Sequence, residues 1–314
     1  VVVRDVNSGE VLVLASYPSY DPATIKENYN ELAADELEPI FNRATLGEYN
    51  PGSTFKMVTA LAGLKTGKIT ENTWIEDKVV YTEYSDYQPR CWKSSGHGNL
   101  NVVGALENSC NYFFYTISEW IGIDAIESVA REFGFGQKTG IEIAESAGVV
   151  ASREYKKEVL NDGWWAADTL ITSIGQGYNN FTPLQIASYV ATIANDGTVY
   201  GSTLLRYIKS ADYSETIKTH GNSIISQVED DGNYLSILRR GMRAVAATGT
   251  AAAAFADYPV KIAAKTGTVQ TEASAQNTGV FVCYAPYDNP QIAISVVVEG
   301  GRSGSALAGI AKEI

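Results

Sequence analysis

Histidine is nearly missing from this chain: 314 residues contain two, His97 and His220. Catalysis with an imidazole base has only those two to draw on. Charged residues are also sparse, at 19%, and they are mostly acidic, with a formal net charge of −12. No block of Lys or Arg occurs, so no nucleic acid held by phosphate neutralisation is expected as a partner. The three cysteines, Cys91, Cys110 and Cys283, are too few and too far apart for a disulfide scaffold. No apolar run is long enough to cross a bilayer, and no signal peptide opens the chain. What is present is a hydrophobic content of 45%, ample for one large domain, together with 19 tyrosines.

The residue pattern predicts a hairpin over residues 1–16, turning at Asn7-Ser8-Gly9, then an irregular stretch through Asn50. A helix opens at Ser53 and runs to Leu64, with Gly63 and Gly67 near its end. Asn101 to Ile121, Asp124 to Gly134 and Asn233 to Val245 also read as helices. So does Pro183 to Asn195, with Thr182 as its N-cap. Residues 68–100 read as loop with short strands. Residues 136–178 carry little regular signal, and Ser210 to Gly232 reads as a polar surface excursion. Three strands are expected at Val260 to Thr266, Thr278 to Tyr284 and Gln291 to Glu299, then a helix from Gly304. Strands at both ends around a mainly helical middle imply an α/β (α+β) domain over residues 1–314. Its sheet comes from about 1–16 and 260–314, and its helical region from about 50–255.

Three clusters carry chemistry. Ser53 and Lys56 are three residues apart and share a helical face, so a neutral Lys56 could activate the Ser53 hydroxyl as a nucleophile. The helix dipole and burial both favour that neutral form. Ser109-Cys110-Asn111, inside a helical block, supplies a hydroxyl to relay a proton and an amide to bind a substrate carbonyl. Lys265-Thr266-Gly267-Thr268, at a strand end, offers a cation and hydroxyls for a substrate carboxylate. Gly267 leaves room for a substrate backbone along the strand edge. The N–H groups of Ser53 and Thr268 together would form an oxyanion hole. The polar loop Thr268 to Gly279 reads as a gate beside Lys265, and Trp92, Trp164 and Trp165 as candidates to line a groove.

Ser-x-x-Lys, Ser-x-Asn and Lys-Thr-Gly in this order resemble the active-site signature of penicillin-binding proteins and serine β-lactamases. The stretch Gly9 to Pro22, Asn42-Arg43, Pro51 to Lys56, Ser173 to Tyr178 and Thr182 to Gln185 extend the likeness over nearly the whole chain. They resemble the transpeptidase domain of class B penicillin-binding proteins, most of all the penicillin-binding protein 2 and sporulation-related branch. The resemblance implies a transpeptidase or serine β-lactamase-like fold, a central antiparallel sheet flanked by helices. It implies D,D-transpeptidation of peptidoglycan stem peptides through an acyl-enzyme at Ser53, outside the cytoplasmic membrane, with covalent inhibition by β-lactams. It further implies a glycosyltransferase of the cell-wall machinery as partner, no cofactor for catalysis, and an N-terminal anchor and pedestal absent from this chain. A slow β-lactamase and a β-lactam sensor are the alternatives. Against the first, Lys157 stands where the deacylating Glu of a Glu-x-x-Leu-Asn run would be, before Leu160-Asn161.

Cys91, His97 and Cys110 fall within a short span and suggest three ligands of a structural zinc bracing Ser109. Asp86 is the expected fourth ligand, with Glu83 a weaker candidate, because both lie shortly before Cys91 in the same polar loop. A Cys91–Cys110 disulfide and two unlinked buried thiols are the other readings. Cys283 reads as core.

Overall fold

The computed structural model describes residues 1–270 and 277–314. In chain order, strands β1 (Val2–Asp5) and β2 (Val11–Leu14) precede helices α1 (Ile25–Ala34) and α2 (Lys56–Lys65). Strands β3 (Ile75–Asp77) and β4 (Gly98–Leu100) follow. Helices α3 (Val102–Glu107), α4 (Asn111–Glu132), α5 (Arg153–Val159), α6 (Ala166–Ser173) and α7 (Pro183–Ala194) come next. Then come β5 (Thr198–Tyr200), β6 (Tyr207–Lys209), β7 (Thr216–Thr219) and β8 (Ile224–Gln227), with helices α8 (Tyr234–Ala247) and α9 (Ala252–Phe255). The chain closes with β9 (Ala263–Val269), β10 (Thr278–Ala285), β11 (Ile292–Val298) and helix α10 (Ala308–Glu313).

The chain ends build one antiparallel sheet in the order β2-β1-β11-β10-β9, with β1 paired directly to β11. Its faces alternate with the strand period. Along β10, Val280, Val282 and Tyr284 face a core shared with α2, α4 and α7. Phe281 and Cys283 face a smaller core closed by Val245, Phe255, Ala308 and Ala311. Cys283 is thus core, as expected, and burial pushes its thiol up to about 12. Helix α7 is buried along its full length, and its capping box joins the Thr182 hydroxyl to the Gln185 N–H.

Several expected elements are corrected. The irregular stretch before Asn50 contains α1, which buries no residue, so no apolar stripe marked it in the sequence. Residues 136–178 contain α5 and α6, short helices whose patterns span too few turns to read. The polar excursion is a hairpin of β6 and β7 followed by β8, which returns to pair with β5. The helix expected over Asn101 to Ile121 breaks at Asn108-Ser109-Cys110, and Ser109 has φ +52°. Helix α4 instead runs on through Gly122, a kink at φ +74°. The Lys265-Thr266-Gly267 run lies within β9 rather than at its end, since the strand continues to Val269. Of the expected gate, residues 271–276 lie outside the described residues.

Candidate active site

Ser53 lies in a 3₁₀ turn, Gly52–Phe55, that feeds α2. The Lys56 N–H donates to the Ser53 carbonyl, and three residues per turn bring the two side chains into line. Helix α2 is buried from Lys56 to Leu64, so Lys56 is held entirely out of water. Burial pushes it down to about 8, against the opposing influence of the Cys110 and Cys91 thiols. Its Nζ donates to Asn111 Oδ1 at 2.6 Å, the Ser109 carbonyl at 2.8 Å and Ser109 Oγ at 3.3 Å. No hydrogen bond joins Lys56 Nζ to Ser53 Oγ among the described residues. Catalytic contacts of this kind commonly close only when substrate arrives.

The break between α3 and α4 decides where Ser109 sits. With positive φ, Ser109 turns out of the helical path and meets both lysines. Lys265 Nζ, on β9, donates to its Oγ at 2.9 Å. Lys265 is also fully buried; burial and the nearby Lys56 hold it well below the usual lysine range. The two amines share one dry pocket, and an arriving carboxylate would favour the charged form of Lys265.

The nucleophile turn packs against β9. A Cβ on Gly267 would lie 2.9 Å from the Pro51 carbonyl and 3.4 Å from the Ser53 nitrogen. Its missing side chain therefore makes room for the turn that carries Ser53. The Ser173 to Tyr178 loop buttresses the same turn: Gly52 N–H donates to the Gly175 carbonyl at 2.9 Å. A Cβ on Gly175 would come within 2.0 Å of the Gly52 carbonyl oxygen.

A cleft of about 360 Å³ opens over these groups, lined by Ser53, Ser109, Asn111, Thr266 and Thr268, with Trp92 and Gln176 at its sides. Thr250, not foreseen from the sequence, joins the lining and shares a 2.7 Å hydroxyl contact with Thr266. Of the three tryptophans considered, Trp92 alone lines the cleft. Trp164 donates to Thr169 and sits near Tyr178, and Trp165 is exposed.

The family model of the penicillin-binding protein transpeptidase domain matches residues 1–314. The chain belongs to the penicillin-binding protein transpeptidase family. Among relatives, peptidoglycan D,D-transpeptidase MrdA of Escherichia coli K12 is 35% identical over all of this chain and 53% of its own length. The Pseudomonas aeruginosa PBP2 crystal structure with WCK 5153 is 34% identical at TM-score 0.89, over 99% of this chain and 71% of that one. PBP2 of Helicobacter pylori, solved in complex with MreC, is 31% identical at TM-score 0.88, over 99% of this chain and 58% of its own. These relatives place the domain in class B, with the penicillin-binding protein 2 branch. The chain spans about half the length of the curated relative it matches.

Behind Ser109, this class B domain gathers a second cluster. Asp77, Cys91, His97 and Cys110 bring their ligand atoms within 4.8 Å of one another. Asp86 and Glu83 are exposed and do not join it. The expected fourth ligand is replaced by Asp77, which lies farther from Cys91 in sequence. Antiparallel pairing of Asp77 with Gly98 sets it beside His97, and sequence distance could not reveal this. Cys91 Sγ lies 3.9 Å from Cys110 Sγ and 3.4 Å from His97 Nδ1, while Asp77 Oδ2 is 3.5 Å from Cys110 Sγ and 2.7 Å from His97 Nδ1. Tetrahedral zinc with these donors has edges of about 3.3–3.8 Å; three of these four distances lie close to that range, and the Asp77–His97 edge is contracted to a hydrogen bond. Burial works to raise Asp77, but bonds from the Val79 N–H, His97 and both thiols leave it lowered. Contact with Cys110 lowers the Cys91 thiol below its ordinary range, and the same contact, with burial, raises Cys110. The residues fit a tetrahedral cation.

Proposed function

We propose that the protein is a serine D,D-transpeptidase that cross-links peptidoglycan stem peptides and is acylated by β-lactams. What carries this reading is the meeting of the buried Lys56 and Lys265 at Ser109, which lines one cleft together with Ser53. In this scheme Ser53 attacks the carbonyl of the penultimate D-Ala and Lys56 takes its proton. The N–H groups of Ser53 and Thr268 hold the oxyanion, and Ser109 passes a proton to the departing D-Ala amine. An amine of a neighbouring stem peptide then displaces Ser53. Asn111 binds a substrate amide. Lys265, Thr266 and Thr268 take the terminal carboxylate, as they would that of a β-lactam.

Hydrolytic turnover of β-lactams is expected to be slow. Among the described residues the cleft lining includes no carboxylate, and Glu158 is solvent-exposed. Mass spectrometry under native conditions after penicillin tests the assignment. The parent should gain one long-lived acyl group and the Ser53→Ala chain none; an adduct on the Ala variant would sink it.

Catalysis needs no cofactor here. Asp77, Cys91, His97 and Cys110 are the ligands proposed for a structural zinc, which would brace the chain at Ser109 and supply no Lewis acid to the reaction. No described helix is long and apolar enough to cross a membrane. The placement proposed is the extracytoplasmic face of the bacterial cell membrane. A glycosyltransferase of the cell-wall machinery is the proposed partner, by analogy with the relatives' cell-wall role.

A further inference from the structure

Ser109 adopts a left-handed conformation that costs a non-glycine residue about 1 kcal/mol. Something must hold it there, because a turn of its peptide would withdraw the hydroxyl from both lysines. Its carbonyl accepts two hydrogen bonds, from Lys56 Nζ at 2.8 Å and from the indole Nε1 of Trp92 at 3.1 Å. The same indole N–H is shared with the Asn108 carbonyl at 3.2 Å, so it spans the break between α3 and α4. Trp92 is itself fixed from the other side. It follows Cys91 in sequence, and its ring packs edge-on to His97 at 5.2 Å. Yet the side chain is 59% exposed and forms a wall of the cleft. An indole so exposed gives little to the core; its contacts are the Asn108 and Ser109 carbonyls, the His97 ring and the cleft.

We propose that Trp92 is a positioning residue for the acylation step, its indole N–H clamping the Ser109 carbonyl so that the Ser109 hydroxyl stays between Lys56 and Lys265. The proposal rests on the reading of Ser109 as the proton relay. It makes Trp92 act through Ser109, with no contact to the reacting atoms required of it. It also gives the Cys91–His97 loop a route to the cleft: whatever orders that loop orders the indole, and the indole orders Ser109.

The test separates the donor from the ring. Trp92→Phe keeps most of the aromatic wall and loses the N–H. Replacing Trp92 by benzothienylalanine keeps the bicyclic ring and exchanges only N–H for sulfur. A fluorescent penicillin gives the acylation rate constant k2 and the preceding binding constant K separately by stopped flow. Both variants should lower k2 by about tenfold, the value of one lost hydrogen bond, with K within about twofold of the parent. Replacement by 7-azatryptophan, which restores an N–H at the same place, should return k2 to the parent value. Thermal midpoints should stay together across the set. Parental k2 in the benzothienyl variant overturns the clamp, as does equal loss in the azatryptophan variant. Ser109→Ala, run in parallel, separates the two readings. If it lowers k2 while the Trp92 variants do not, only the clamp fails; if it leaves k2 unchanged, the relay fails and the clamp with it.

Discussion

The pH dependence of acylation tests the mechanism most directly. The base must be neutral, and burial sets Lys56 at about 8. The neutral fraction is then about one half at pH 8, about a tenth at pH 7 and about a hundredth at pH 6. The second-order constant k2/K reports groups of the free enzyme. It should therefore fall by about tenfold for each pH unit below 8 and level off above it. Because Lys56 and Lys265 share one pocket, the midpoint belongs to the pair, with Lys56 giving up the last proton. The same shift has an energetic counterpart of about 3 kcal/mol. The folded pKa lies below the unfolded value of 10.5, so the cost of burying the ammonium is fully present below pH 8. Between pH 8 and 10.5 the unfolded chain carries a proton that the folded one has lost, and this contribution to stability rises with pH. The assay is stopped-flow acylation by a fluorescent penicillin between pH 6 and 9. Lys56→Met should abolish the slope together with at least about a thousandfold of the rate, within the range for losing a general base. A flat profile across pH 6–9, or a Lys56→Met protein still acylating within about tenfold of the parent, would refute the assignment.

Gly267→Ala should reduce k2 by at least about tenfold, since its Cβ would lie 2.9 Å from the Pro51 carbonyl and displace the turn that aims Ser53; unchanged kinetics would show that the turn yields freely. Removal of a bound cation by a strong chelator, or Asp77→Asn, should lower the thermal midpoint, whereas Asp86→Ala should not. No stoichiometric zinc in the purified protein, with free thiols titrating, would remove the metal reading. Lys156 is buried against Asp168 at 2.6 Å. Lys156→Met should therefore destabilise the protein by about 3 kcal/mol in urea denaturation, because the Asp168 carboxylate loses its cation and keeps the Trp165 N–H, with acylation changed less than about twofold. A cost near zero would mean that Asp168 finds water.

The sequence alone determined the chemistry at three points. Ser53 with Lys56, Ser109 with Asn111, and Lys265 to Thr268 each announce themselves by local spacing, and the order of the three motifs points to the family. The sheet was legible too, because β9, β10 and β11 follow one another as short apolar runs with clear breaks between them, β11 strongly β-branched. Other features depend on groups distant in sequence. Helix α1 buries nothing and leaves no periodicity to read. Ser109 was expected within a continuous helix, since propensity averages over a window and cannot see one left-handed residue held by Lys56, Trp92 and the ends of two helices. At Gly267 packing adds a role that spacing did not show, since its missing side chain makes room for the Pro51 to Ser53 turn. Asp77, rather than the nearer Asp86, completes the cluster with Cys91, His97 and Cys110 because β3 pairs with β4. Sequence specifies which groups are available and which lie within a turn of one another. The packing of α2, α3 and β9 decides which distant groups share a dry pocket, and there burial lowers Lys56 to about 8 and holds Lys265 well below the usual lysine range.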